Sequence, residues 1–417
     1  MTNSNTVYPL SAVRALALHA QGLGIRSDPK PLSTLDEVYS IIEQIGCLQI
    51  DTLQMVRRSQ NIALWSRLGS YDPADLDRLL FDGANRRLFE YWLHAACIIP
   101  FSEYRYRLPL MLRYQGGIQG WRRDWEKDPE NAKLAQTIME HIRVNGPARS
   151  ADFEHKGSTR SAWWDWKPSK RALEHLYNCG ELMVGNRVNF QRVYDLRERV
   201  LPDWVDTSVP TESETARHLL ERSMLSLGIC QPNHVAGYTS MKRTEAKPHL
   251  EQLTKEGVFV AVQGLTSDDG VLDFVVHRDS LPLLEKAADG ALSPERTTFL
   301  SPFDSLFWAK GRDMQLWGFE QTLEAYKPSP IRKWGYFCLP ILHKERLVGR
   351  FDPKLERRTG VLRLKAIYLE PEIPPDDELV ASVAAAMRDF MEFHDATSLV
   401  IERSEPAEFG DRLLAVL

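Results

Sequence analysis

The sequence predicts an α+β protein in which tandem winged-helix (helix-turn-helix) units are followed by a C-terminal antiparallel β-barrel. Two observations predict this class. Residues 133–200 and 213–277 each contain three helical segments followed by a hairpin-like segment, which is the winged-helix order. From about residue 298, strand-like runs alternate with short turns, as in a small antiparallel barrel or sheet.

The composition is that of an ordinary soluble globular protein. Of the 417 residues, 43% are hydrophobic and 26% are charged, and this length predicts two to four domains. The first residues do not form a basic-then-apolar leader, and no apolar run approaches membrane-spanning length. The five scattered cysteines predict neither a disulfide framework nor a zinc site. A reducing cytoplasm therefore fits best.

Helix signals are clear in the N-terminal region. A first helix ends at Gly24, and a second begins after a capping box formed by Thr34 and Glu37 and ends at Gly46. A third helix has Asp72 as its cap and Pro73 at its first position.

The two repeated units differ in sequence but share one pattern. In the first unit, a helix ends at an Asn-Gly-Pro turn, and helices follow near 148–155 and 167–180. The hairpin of this unit is predicted over 181–196, with its turn near Gly185-Asn186. In the second unit, three helices precede the strands FVAVQG and VLDFVVH.

The C-terminal region carries strands, a helix and a basic stretch. The predicted strands are MQLWGF, WGYFCLPIL, RLVGRFD and VLRLKAIYLE, and the predicted helix covers 378–396. Residues 332–365 contain 10 basic and 3 acidic side chains. This stretch is either a surface that faces phosphates or a solvated strand face.

The stretch LQIDT, residues 48–52, carries the candidate chemistry. If it is extended, Gln49 and Asp51 share one face about 6.6 Å apart, while Leu48, Ile50 and Thr52 share the other. An amide and a carboxylate so placed can orient a nucleophilic water or stabilise a cation. The alternative is that Asp51 caps the following helix and Gln49 is solvated.

Residues further along the chain add to this picture. Cations, amides and an aromatic residue follow LQIDT closely, and these types bind phosphates and stack on bases. The sequence contains no phosphate loop, no H-E-x-x-H metal helix and no G-x-S-x-G nucleophile elbow.

Several separate segments carry a family resemblance that spans nearly the whole chain. In the N-terminal part they are LQIDT, RRSQNIALWSRLGSYDP and FEYWLHAACIIP. In the C-terminal part they are LSPFDSLFW, GFEQTLEAYKP, RKWGYFCLPIL and LVGRFDPKLERR. Together they resemble the bacterial winged-helix DNA glycosylases of the AlkZ/YcaQ type. Gln49 and Asp51 fall on the Gln-x-Asp motif of the YcaQ branch, whereas Gln60-Asn61 stand where that family leads us to expect histidines.

The resemblance implies three winged-helix units and a barrel, which we place at 1–125, 126–207, 208–297 and 298–417. It implies hydrolysis of the N-glycosidic bond of N7-alkylguanine, including interstrand crosslinks, with Gln49 and Asp51 as catalytic residues. No metal or organic cofactor is expected. We expect a monomer that binds double-stranded DNA with alkylated or crosslinked guanine in the cytoplasm, associated with the nucleoid. The predicted DNA contacts are Arg57, Arg58, Ser59, Gln60, Asn61, Arg67, Arg350 and Lys354.

Two other function classes compete with this hypothesis. A non-catalytic winged-helix regulator would prefer one undamaged DNA sequence and release no base. A nuclease would need clustered carboxylates and a divalent metal. The sequence contains no carboxylate cluster that favours the nuclease.

Overall fold

A computed structural model of the chain describes residues 6–24, 32–116, 125, 127–153 and 168–417. It is a mixed α+β structure with two compact units. The first unit combines Met1–Asp75, Leu93–Cys97 and Leu219–Leu417, and the second combines Leu76–Trp92 and Ile98–His218. The first unit is therefore built from segments that are far apart in the sequence, whereas only residues 93–97 separate the two segments of the second unit. The finer division into four segments stays a prediction.

The described helices are numbered in chain order. They are α1 (Leu10–Ala20), α2 (Leu35–Ile45), α3 (Ser59–Leu68), α4 (Pro73–Phe81), α5 (Leu108–Gln115), α6 (Pro129–Asn145), α7 (Pro168–Asn178), α8 (Arg197–Val200), α9 (Glu212–Leu227), α10 (Pro232–Tyr238), α11 (Arg243–Lys255), α12 (Leu281–Ala288), α13 (Arg312–Trp317), α14 (Asp377–Phe393) and α15 (Ala407–Val416). Short 3₁₀ turns lie at Phe101–Arg107, Ser150–Phe153, Arg278–Ser280, Ser305–Phe307 and Ser329–Ile331. None of the described helices is long and apolar enough to span a membrane.

The described strands form four sheets. The strands are β1 (Val7–Tyr8), β2 (Leu48–Gln49), β3 (Leu88–Trp92), β4 (Ala96–Pro100), β5 (Leu182–Val188), β6 (Gln191–Leu196), β7 (Ile229–Cys230), β8 (Phe259–Leu265), β9 (Val271–His277), β10 (Thr297–Phe299), β11 (Leu339–His343), β12 (Arg346–Glu356), β13 (Val361–Leu369), β14 (Ser398–Ile401) and β15 (Ser404–Glu405). The sheet orders are β1-β8-β9-β7, β10-β11-β12-β13-β14 with β15 beside β13, β2-β4-β3, and β5-β6.

The helix signals at Thr34, Gly46 and Asp72 are confirmed, whereas the first helix ends at Ala20 and not at the predicted Gly24. The Thr34 hydroxyl accepts the Glu37 N–H, and the Glu37 carboxylate accepts the Thr34 N–H at 2.8 Å, so the capping box is complete. Gly46 ends α2 with φ +79°, a left-handed conformation that glycine adopts without strain. The Asp72 carboxylate accepts the Ala74 N–H at 2.9 Å at the start of α4.

The order of three helices and a hairpin is confirmed at 212–277, where α9, α10 and α11 precede β8 and β9. At 129–196 the described part runs from α6 through the 3₁₀ turn Ser150–Phe153 and α7 to the hairpin β5-β6, and residues 154–167 lie outside the described residues. The predicted turn at Gly185-Asn186 was wrong. The hairpin turns at Asn189 and Phe190, both with positive φ, and Gly185 lies at a bulge. The name winged helix stays a prediction.

The C-terminal strands form a curled half-barrel sheet, and the predicted antiparallel β-barrel is not confirmed, because β14 and β15 pair with β13 in parallel. Among the described strands, β10 and β14 lie at its two edges and do not pair with each other. The predicted strand MQLWGF was wrong, because this run lies in and just beyond the short helix α13, which ends at Gly318 with φ +62°. A short apolar run has too few residues for its period to separate helix from strand. The predicted helix at 378–396 is confirmed as α14, which is capped by Asp376.

An aromatic cluster packs α3 against the C-terminal sheet within the first unit. The Trp65 ring lies 5.0 Å from the Phe390 ring on α14 and 5.9 Å from Phe299 on β10. Phe351 on β12 contacts both phenylalanines edge to face. Aromatic pairs of this kind add to the stability given by burial alone. The cluster therefore fixes α3, and with it the segment that precedes α3.

The second unit is organised around a buried carboxylate. Glu90 on β3 is 3% exposed, and it accepts from Arg187 at 2.6 and 2.7 Å and from Arg192 at 3.4 Å. Both arginines belong to the β5-β6 hairpin, so this ion-pair network holds the hairpin on β3. All five cysteines of the chain are buried, and none of them forms a disulfide bond.

Candidate active site

The segment between α2 and α3 presents the candidate catalytic residues. After Gly46, β2 covers only Leu48–Gln49, and the Ile50 N–H donates to the Ala96 carbonyl at 2.8 Å. The predicted alternation is wrong beyond this point, because Ile50 is only half-buried and Thr52 is exposed. The physical reason is a turn, in which the Asp51 carboxylate accepts the Leu53 N–H at 2.6 Å.

Three hydrogen bonds tie the end of this segment to the C-terminal part of the same unit. The Met55 carbonyl accepts from the Leu355 N–H at 2.9 Å, and the Val56 carbonyl accepts from Arg357 at 2.6 Å. Arg57 donates to the Phe393 carbonyl at 2.6 Å. The backbone around Asp51 is therefore held from both sides.

Gln49 lines an open cavity of about 320 Å³. The other lining residues are mostly aromatic or apolar: His94, Ala95, Pro302, Phe303, Asp304, Phe307, Trp308, Gln321 and Leu323. The His94 and Trp308 rings stack with centroids 4.5 Å apart and an interplanar angle of 3°. Burial lowers the pKa of His94, so its imidazole is neutral at pH 7.

A buried ion pair lies beneath one wall of this cavity. Asp304 accepts from Arg67 through two hydrogen bonds of 2.7 and 2.8 Å, and both side chains are fully buried. Arg67 also donates to the backbone carbonyl of Gln21 at 2.8 Å. The charge of Asp304 is therefore matched, and the guanidinium of Arg67 is enclosed by protein. The contact of Arg67 with DNA stays a prediction.

Asp51 is half-buried, and it is not the cap of α3, because Arg58 occupies the cap position. Burial raises the pKa of the Asp51 carboxyl, while the Leu53 N–H and the positive charge of Arg58 act in the opposite direction. Asp51 is not among the residues that line the cavity, whereas Gln49, two positions earlier, does line it. A carboxylate with a raised pKa, free of a capping role, is suited to accept a proton.

The loop that carries Tyr326 also approaches Asp51. Burial raises the pKa of the Tyr326 hydroxyl, and the negative charge of Asp51 raises it further. The Tyr326 side chain is nevertheless 75% exposed. The candidate carboxylate therefore has an exposed aromatic residue in its surroundings.

Two buried carboxylates anchor this loop. Glu324 accepts from the Trp334 N–H at 2.7 Å, the Lys333 N–H at 3.1 Å and the Lys327 ammonium at 3.1 Å. Burial alone would raise the pKa of Glu324, but these donors outweigh it and lower the pKa to about 2.

Asp352 is the second anchor, and it accepts from the N–H groups of Tyr336 at 2.7 Å and Phe337 at 3.0 Å. Gly335 lies against it, and a Cβ at that position would come within 2.3 Å of the Asp352 carboxylate. Position 335 therefore requires glycine.

The sequence model of the family described as AlkZ-like DNA glycosylase matches residues 42–393. The chain belongs to the AlkZ-like DNA glycosylase family. Its fold is similar to that of the Streptomyces sahachiroi DNA glycosylase AlkZ, with a TM-score of 0.61 at 15% sequence identity. The similarity covers 95% of this chain and 100% of that chain. The predicted family is thus confirmed, and the protein is a DNA glycosylase.

Several predicted DNA contacts of this AlkZ-like glycosylase are buried. Arg350 is 2% exposed, lies 3.9 Å from the Phe319 ring and 4.4 Å from the Trp334 ring, and pairs with Glu370 at 2.8 Å. Ser59 and Gln60 are buried at the start of α3. The side chains of these three residues pack inside the protein, and their contact with DNA stays a prediction.

The remaining predicted contacts are at least partly accessible. Arg57 pairs with Asp395 at 3.0 Å, Arg58 donates to the Thr52 carbonyl at 3.0 Å, and Asn61 accepts from the Tyr71 hydroxyl at 2.9 Å. Lys354 on β12 is exposed. Their contact with DNA stays a prediction.

Apart from Gln49, none of the cavity residues of the AlkZ-like glycosylase is predicted as a site residue from the sequence, and four of them bear polar or stacking groups: His94, Asp304, Trp308 and Gln321. They lie within segments that carry the family resemblance, but nothing in their spacing links position 94 to position 308. Among the described residues, no group of three His, Cys, Asp or Glu side chains is arranged to hold a metal ion.

Proposed function

We propose that this AlkZ-like glycosylase hydrolyses the N-glycosidic bond of N7-alkylguanine in duplex DNA, including guanines joined by interstrand crosslinks. The observation that supports this most directly is the environment of Asp51. Its carboxylate is half-buried, has a raised pKa and lies two residues from Gln49, which faces an open cavity.

The chemistry of the substrate fits these groups. Alkylation at N7 gives guanine a positive charge, so the base is a good leaving group. When the C1′–N9 bond breaks, the electron pair goes to N9 and the sugar acquires oxocarbenium character. The negative charge of Asp51 stabilises this sugar, and its carboxylate accepts a proton from the water that attacks C1′. Gln49 orients that water without ionising.

Crosslinked guanine places a further demand on the site. Many glycosylases extrude the target base into a closed pocket. A base tied covalently to both strands cannot leave the duplex in this way, so the enzyme must act through an open surface. The cavity beside Gln49 is open, which is compatible with this requirement.

The test uses two duplex oligonucleotides, one with a single N7-methylguanine and one with a single defined crosslink. We expect release of the modified base, detected by mass spectrometry, and an abasic site that alkali converts to a strand break. An undamaged duplex of the same sequence is the control. Tight binding to one undamaged sequence without any base release would contradict the proposal and favour a regulator.

A further inference from the structure

We infer that the cavity shared by Gln49 and Gln321 is a product site that holds the freed, neutral alkylguanine base after the glycosidic bond has broken. This inference rests on the proposed function, and it adds a ligand and a step. An unpaired donor in the cavity, the shape of the cavity and the charge of its lining support it.

The unpaired donor belongs to Gln321. Its side-chain nitrogen is buried and has no hydrogen-bond partner, although its backbone N–H donates to Asp313 at 2.8 Å. A buried donor without an acceptor is unfavourable, and native proteins rarely contain one without a reason. Because Gln321 lines the cavity, a ligand oxygen bound there can satisfy it. Guanine offers such an acceptor in its O6 carbonyl.

The walls suit a flat ring. The stacked pair of His94 and Trp308 lines the cavity together with the rings of Phe303 and Phe307. The volume of about 320 Å³ lies at the small end of the range of roughly 300–1,000 Å³ that is usual for small-molecule sites. A single purine base therefore fits better than a whole nucleotide.

The charge of the lining separates product from substrate. Asp304 is neutralised by Arg67, and the imidazole of His94 is uncharged at neutral pH. N7-alkylguanine is a cation within DNA, but it leaves with the electrons of the C1′–N9 bond and is then neutral. The cavity is partly desolvated and has no unpaired anion in its lining. Binding of the cationic base there is therefore unfavourable, whereas binding of the neutral base is not.

The test is calorimetric titration of the full-length protein with free 7-methylguanine in the absence of DNA. We expect saturable binding with a Kd of about 1 mM or tighter, as is usual for a ligand of this size. The same compound should slow base release from damaged DNA under multiple-turnover conditions. Absence of saturable binding at about this concentration would overturn the inference.

A variant and a ligand analogue test the role of Gln321. Gln321→Met keeps the length of the side chain and removes the donor, and it should weaken 7-methylguanine about 2- to 10-fold, the effect of one neutral hydrogen bond. The control is Gln315→Met on α13, an amide outside the cavity that pairs with Gln231 at 2.7 Å. It should leave the affinity unchanged. Equal affinity of Gln321→Met and the unaltered protein would contradict the assignment.

A ligand analogue tests whether Gln321 donates to O6 of the base even if Gln321→Met does not fold. 7-Methyl-2-aminopurine lacks O6, and it should bind the unaltered protein about 2- to 10-fold more weakly than 7-methylguanine. Equal affinity for the two bases would exclude a hydrogen bond from the Gln321 side chain to O6. Because these titrations contain no DNA, the two hypotheses fail separately. Binding of free 7-methylguanine without base release from damaged DNA would contradict the proposed function and leave the inferred binding site intact.

Discussion

Arg67 and Asp304 form a bidentate ion pair although 236 residues of chain separate them, and neither side chain is accessible to solvent. The pair joins α3, which follows the candidate catalytic segment, to the 3₁₀ turn beside the cavity. Asp304 also accepts the Leu306 N–H at 3.0 Å. One contact therefore connects α3 to one of the segments that line the cavity.

Replacing Arg67 tests this structural role. Arg67→Met should lower the free energy of unfolding by about 3–5 kcal/mol, because Asp304 would remain buried without a partner. Denaturant unfolding measures the change. The double variant with Asp304→Leu should regain part of the loss. If the DNA affinity of the folded fraction fell while stability stayed constant, Arg67 would be a DNA contact after all.

Replacing Asp51 tests the proposed chemistry. Asp51→Asn should reduce single-turnover base release about 10²- to 10⁴-fold, the usual effect of losing an acid–base group, while binding to damaged duplex persists. The control is Asp411→Asn, which changes an exposed carboxylate on α15. Full activity in Asp51→Asn would exclude this carboxylate from the mechanism.

The pH dependence should follow the surroundings of Asp51. Only the ionised carboxylate accepts a proton, so base release should rise with pH through a pKa above the ordinary value of 3.8. Arg58 lowers this pKa through its positive charge. Arg58→Met should therefore move the acidic limb of the single-turnover profile to higher pH.

The matched control for this profile is Arg57→Met. The Arg57 guanidinium pairs with Asp395 and contacts the Phe393 carbonyl, and it is not among the charges that act on Asp51. The acidic limb of the pH profile of Arg57→Met should stay in place. A shift of the acidic limb to lower pH in Arg58→Met would contradict the conclusion that Arg58 lowers the pKa of Asp51.

Lys354 is the exposed cation that best tests contact with the DNA backbone. Lys354→Gln should weaken binding to every duplex sequence alike and reduce the slope of log affinity against log salt by about 0.9, the value for one phosphate contact. Fluorescence anisotropy at several salt concentrations gives the slope. An unchanged slope would place Lys354 away from DNA.

The Glu324 anchor should contribute to stability in a defined pH range. Its pKa is lowered from 4.5 to about 2, so its contribution is complete above about pH 4.5 and is lost as the pH falls towards 2. Glu324→Gln should cost about 1.5–3 kcal/mol at neutral pH, since charged hydrogen bonds are lost. Thermal unfolding at several pH values should show that the stability of Glu324→Gln falls less steeply between pH 4.5 and about 2 than that of the unaltered protein. Glu372→Gln, at an exposed position, is the control.

The parts of the fold that the sequence predicts well depend on local signals. The capping box of Thr34 and Glu37 and the left-handed Gly46 lie within or next to the helix they delimit, so a short window contains all the information. The run MQLWGF is also short, but Gly311 and Gly318 at the two ends of α13, and the burial of Leu316 and Trp317, decide its conformation. The alternation of residue types within this run does not distinguish a helix from a strand.

The candidate site was predictable only in part for the same reason. Residue type and resemblance predict Gln49 and Asp51, yet β2 ends at Gln49 because the Asp51 carboxylate accepts the Leu53 N–H in a turn. The residue types after LQIDT suggested that Arg67 faces DNA. Its buried partner Asp304 lies too far along the chain for any local pattern to reveal it.

The two carboxylates that hold the Tyr326 loop have a thermodynamic consequence for any ligand that reaches it. Glu324 and Asp352 fix the backbone of 333–337 through hydrogen bonds made during folding. The conformational entropy of that backbone is thus lost before any encounter, and association need not order it again. An aromatic side chain presented from such a preorganised support can select a partner by shape, with little induced fit.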